Sequence, residues 1–214
     1  MVNQLIEPYG GTLVNLIDPA RGDALKQEAL DLPSLDLGWQ QQCELEMLMT
    51  GAYSPLAGFM TRAQCERVET EQKLDDGTFW PLPVTLTSRQ KIAAGLKPGE
   101  RVALRDGEGF MLAVLTVSEV WDDSGTWHLG GAVEGVALPP HPDFVDLRAT
   151  PAELRALFAR RGWRRQERVR LADRSIDPVE ATQGGGGNLV KTLGRARARD
   201  RGRENAHREP VVAL

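Results

Sequence analysis

Two cysteines, three histidines and no apolar run near the ~18 residues of a membrane span set the first limits on this 214-residue chain. Cys43 and Cys65 lie on separate segments that read as helical. They are too few for a four-ligand zinc site and too far apart for a Cys-x-x-Cys redox pair. Both are expected as reduced, semi-buried thiols, which favours a cytoplasmic protein. His128, His141 and His207 never stand at His-x-x-His spacing. The opening MVNQLIEPYGG lacks the basic region and long apolar stretch of a secretory signal.

Aromatic residues make up 6% of the chain, and none lies beyond Trp163. Methionine and cysteine stop before the same point, so residues 164–214 have almost nothing with which to build a core. Charge divides there too. Residues 1–163 hold 14 Lys and Arg against 23 Asp and Glu, a balance of −9; residues 164–214 hold 12 against 7, a balance of +5. Gln183-GGGG-Asn188 has the composition of a flexible spacer, and RARARDRGR (195–203) is a charge run without a hydrophobic face. The segment 164–214 is therefore expected to be a largely disordered basic tail.

The first 163 residues read as mixed α and β. Leu13–Ile17 suits an opening strand, and Asp23–Leu30 a short helix stopped by Pro33. Trp39, Cys43, Met47 and Leu48 recur at helical spacing between about Leu37 and Met49. Thr61 and Gln64 form a capping box for a helix reaching about Glu69. Val84–Thr87 reads as an edge or starting strand after two prolines. Arg101–Arg105 and Phe110–Val117 make a hairpin around Asp106-Gly-Glu-Gly109, whose glycines are expected to supply positive φ. Thr150, Pro151 and Glu153 start a further helix with Leu154, Leu157 and Phe158 on one face and Gly162 as its stop. Short strands broken by Gly and Pro favour a small barrel over a doubly wound sheet.

Five segments together carry a resemblance. EPYGGTLVNL (7–16), CELEMLMTGAYSPLAGFM (43–60), DDGTFWPLPVTL (75–86), RVALRDGEGFMLAVLTV (101–117) and HPDFVDLRATPAELRALFARRGW (141–163) follow in an order and spacing that resemble the N-terminal domain of ATP sulfurylase (sulfate adenylyltransferase). The resemblance implies an α+β, mainly β fold: a PUA-like small mixed β-barrel with flanking short helices over 1–140, and a linker helix segment over 141–163. It implies that the intact enzyme moves the adenylyl group of MgATP to sulfate, releasing pyrophosphate. In that family a Gln-x-Arg-Asn-Pro-x-His-x-x-His motif follows the linker, its glutamine and arginine holding sulfate and its histidines the phosphates.

Here the linker runs into RRQERVRLADRSIDPVE, and no Gln-x-Arg-Asn occurs anywhere. Gln166-Glu-Arg168 and Asn205-Ala-His207 match fragments only. Gly185–Thr192 approaches a P-loop, but Val190 stands where the second glycine must be. No catalytic, cofactor-binding or metal residue is therefore assigned, and the chain alone is expected to be inactive and to bind no cofactor. The paired acids Asp75-Asp76 and Asp122-Asp123 read as solvated turn carboxylates, Trp39, Trp80 and Trp163 as core or interface anchors, and SPLAGFM as a bend docking a helix onto the barrel.

The expected partner is a missing or separate catalytic domain. A frameshift near Trp163 would explain the tail, in which case the encoding DNA holds the missing motif in another frame. The competing reading is a free-standing PUA-like module binding RNA, with the basic tail as an electrostatic arm. Its folded part has the wrong sign of charge for a phosphate backbone, so a nucleic-acid partner is not expected.

Overall fold

The computed structural model describes residues 5–143 and 148–162. Along the chain run α1 (Gly22–Glu28), β1 (Ser34–Asp36), α2 (Trp39–Thr50), β2 (Gly58–Phe59), α3 (Arg62–Glu71), β3 (Leu86–Ser88), β4 (Arg101–Arg105), β5 (Met111–Asp123), β6 (Thr126–Gly135) and α4 (Pro151–Arg161), with one 3-10 turn at Ala93–Gly95. The tail lies outside the described residues, as do Trp163, Gln166, Arg168, Val190, Lys191, Asn205 and His207.

One mixed sheet of six strands organises the domain, in the order β1-β4-β5-β6-β2, with β3 also pairing β6. β1 joins β4 in parallel, and the β4–β5 and β5–β6 pairs are antiparallel hairpins. Among the described residues hydrogen bonds do not close the path, since β1 and β2 end it without pairing to each other. The fold is PUA-like with an open rim, flanked by four short helices.

Burial explains why β4 and β5 read as continuous apolar runs. Val102, Leu104, Leu112 and Leu115 face the main core, which α2 fills with Leu45, Leu48 and Met49 and α3 with Cys65 and Val68. Ala103 and Val114 are paired across the strands and also buried, yet alternation turns them to the opposite face. There Leu25 and Ala29 of α1 are buried as well. Arg101 of β4 ties the layers together by bridging Glu28 of α1 and Glu134 of β6, and Arg21 also reaches Glu134.

The capping reading holds at both helix starts: Thr61 N donates to Gln64 Oε1 at 3.0 Å, and Glu153 N donates to Thr150 Oγ1 at 3.2 Å. Three expectations change. Leu13–Ile17 is not a strand but an extended segment touching the sheet through one parallel bridge, Ile17 to Gly135. Its remaining polar groups are taken elsewhere, Leu16 N by Met49 O and Val14 N by Ser54 Oγ. In the β4–β5 loop only Gly109 has positive φ (88°); Asp106 Oδ1 accepts from Glu108 N and Phe110 N and builds the rest of the turn. β5 continues to Asp123, beyond the anticipated end at Val117, by way of a bulge between Val117 and Glu119.

SPLAGFM is the bend expected of it. Ser54 is buried, its hydroxyl donating to Gly51 O (2.6 Å) while accepting from Val14 N (3.0 Å), and the Ser54-Pro55 bond is cis. Gly58 then enters β2 so close to β6 that a Cβ on it would stand 2.0 Å from Gly131 O. The α2 helix, the bend and β6 are thereby locked together.

Candidate functional site

The paired acids hold turns. Asp76 Oδ1 accepts from Thr78 N at 2.8 Å, which holds its carboxyl below the ordinary range. Asp75 takes Gln64 Nε2 and Arg67 Nη1, and Asp122 accepts from Gly125 N in the β5–β6 turn. Each carboxylate stabilises a local bend, and none faces another acid across a cleft at a distance suited to proton transfer.

The cysteines are free and on different helices. Burial, then Glu69 and Glu119, pushes the Cys65 thiol up to about 11, and burial with Glu46 raises Cys43. A raised folded-state value means the folded chain keeps a proton that the unfolded chain has released. The Cys65 contribution is therefore intact below pH 9 and is lost as pH rises toward about 11. Urea melts at pH 8, 9.5 and 10.5 are expected to show this fall, and Cys65→Ala to flatten it.

The described histidines are far from one another in role. His128 stacks on Trp121 at 5.1 Å and its Nδ1 meets Thr85 Oγ1 at 3.3 Å. His141 pairs through Nε2 with Glu46 Oε2 at 2.7 Å, its ring edge-on to Trp39 at 6.4 Å. The linker is thus fastened to the outer face of α2. Trp80 is a core anchor, T-shaped against Tyr53 at 5.9 Å. Trp39 is not a core residue: it is 67% exposed, because the buried stripe of α2 is Leu45, Leu48 and Met49.

Trp39 instead lines an open cleft of about 610 Å³ between the start of α2 and the free edge of β3. Gln40, Gln41 and Glu44 form one wall, Thr85, Thr87 and Arg89 the other. Much of this polar surface is already engaged. Gln41 accepts from Gly38 N and donates to Thr87 O, Gln40 donates to Glu44, and Arg89 Nε donates to Thr126 Oγ1 at 3.4 Å. One arginine beside one glutamate makes no cradle for a polyanion. Among the described residues no group of three or more His, Cys, Asp and Glu could hold a metal ion. Nor is any helix there long and apolar enough to cross a membrane. The cleft follows from the packing of α2 on β3, and no motif in the sequence announced it.

Comparison with known proteins agrees with this geometry. The PUA-like domain family matches residues 6–143. Sulfate adenylyltransferase of Symbiobacterium thermophilum is 39% identical over 74% of this chain and 47% of its own. That of Emericella nidulans is 37% identical over 74% of this chain and 33% of its own. Among solved structures, the hexameric APS kinase from Thiobacillus denitrificans is 78% identical, with a TM-score of 0.72, over 76% of this chain and 33% of that one. The chain thus spans a third to a half of the length of these relatives. It belongs to the PUA-like domain family and resembles the N-terminal domain of the ATP sulfurylases.

Proposed function

We propose that this chain supplies the N-terminal supporting domain of a sulfate adenylyltransferase and carries out no chemistry by itself. The observation that carries the reading is a match confined to about three quarters of the chain and to half or less of each relative. The family's sulfate- and phosphate-gripping motif is absent from the whole sequence. Adenylyl transfer to sulfate needs cationic stabilisation of crowded oxyanions more than proton transfer. The described arginines are spent on structure instead, Arg101 on Glu28 and Glu134, and Arg105 on the carbonyls of Ala29 and Gly109. MgATP and sulfate therefore belong to a catalytic portion elsewhere, in a cytoplasmic, sulfate-assimilating enzyme, and residues 164–214 do not continue the family's sequence.

Free-standing RNA binding is the weaker reading. A balance of −9 over residues 1–163 and a cleft with one arginine are poorly suited to a phosphate backbone.

A chimera tests the proposal. Residues 5–162 would replace the matched region of the Symbiobacterium thermophilum enzyme. The chimera is expected to retain adenylyl transfer to sulfate within about tenfold of the parent, one decade being 1.4 kcal/mol of barrier. A folded chimera without activity would contradict it.

A further inference from the structure

Ile6, Tyr9, Phe79 and Leu82 are all more than half exposed, although each could have been buried in a domain of this size. They belong to two segments that the structure ties together. Tyr9 donates its hydroxyl to Phe79 O, Gly10 lies against the Pro55 ring, and a bridge between Lys73 and Phe79 folds 73–79 back on itself. Leu82 stands between the exposed prolines Pro81 and Pro83, which have no N–H to offer water.

Two independent features mark this face as one that something covers. Trp80 lies between Phe79 and Pro81 and is buried, yet its indole Nε1 has no acceptor among the described residues. A buried donor is costly to leave unpaired, and an acceptor arriving from outside would relieve it. The described chain also returns to this face: Arg155 of α4 donates from Nη2 to Ile6 O at 2.7 Å. In the relatives the polypeptide is two to three times longer than the matched region, so the helix beyond the linker sits beside the face where further chain would pack.

We propose that the Ile6, Tyr9, Phe79 and Leu82 face docks the catalytic portion, through an apolar surface that presents a carbonyl or carboxylate to the Trp80 indole. This rests on the supporting-domain reading above and names the surface that performs it. The exposed apolar pair Leu30 and Phe110, flanking the Arg105 guanidinium, serves as an internal control because neither orphan donor nor linker helix adjoins it.

The probe is the two thirds of the Thiobacillus denitrificans chain outside the matched region, expressed separately and titrated into the full chain. Wild type is expected to bind, with Trp80 Hε1 moving downfield and exchanging at least tenfold more slowly by ¹⁵N NMR. Phe79→Ser/Leu82→Ser should weaken binding at least tenfold with unchanged melting, and Leu30→Ser/Phe110→Ser less than twofold. Equal weakening by the two pairs, or none by the first, overturns the assignment of this face even where the chimera is active. An unmoved Trp80 resonance in the bound state does the same. Failure of wild type to bind overturns this inference, while the chimera decides separately whether the supporting role survives.

Discussion

Gly51→Val is expected to destabilise the domain by about 4 kcal/mol or more, lowering the melting temperature by about 10 °C. Gly51 ends α2 in the left-handed region, with φ of 82°, where a β-branched residue is strained. Its second constraint is spatial, for a Cβ would stand 1.9 Å from Val14 O. That carbonyl belongs to the extended N-terminal segment, whose amide is held by Ser54, so neither side can retreat freely. Gly77 isolates the conformational part: its φ is 84°, but nothing lies within 4 Å of an added Cβ. Gly77→Val should therefore cost about 1–2 kcal/mol. Urea denaturation of the two variants separates the terms. Equal losses would show that the approach of Val14 to Gly51 has no energetic weight.

Leu115→Ala should cost about 3–5 kcal/mol. Leu115 has no exposed surface and lies at the centre of β5, opposite Val102 of β4 and Val133 of β6. Neighbours on both strands leave the site little room to collapse, so the cavity term adds to the lost transfer energy. Leu82→Ala is the contrast, expected within about 0.5 kcal/mol in the isolated chain. Urea midpoints measure both. A loss below about 1 kcal/mol at Leu115 would mean that the sheet is not buried on both faces.

What was legible in the sequence was local chemistry. Thr61 with Gln64 and Thr150 with Glu153 mark helix starts because a cap satisfies amides within three residues of itself. β6 was missed, although WHLGGAVEG holds apolar residues, because Gly130 and Gly131 interrupt the pattern. Those glycines are required by neighbours distant in sequence: a Cβ on Gly130 would meet Met60 O at 2.4 Å, and one on Gly131 would meet Thr116 O at 2.1 Å. The exposure of Trp39 escaped for a related reason. Helical spacing names a stripe on α2, and only the packing of β6 and the linker decides which stripe is buried. The cleft beside Trp39 and the unpaired Trp80 indole are tertiary products with no local signature.

The central claim is a supporting domain without a grip on sulfate or triphosphate, and pyrophosphate release by the isolated full chain tests it most directly. With ATP, Mg²⁺ and sulfate the account predicts a rate equal to buffer. Sulfate-dependent release above that background, abolished by removing sulfate, would contradict it.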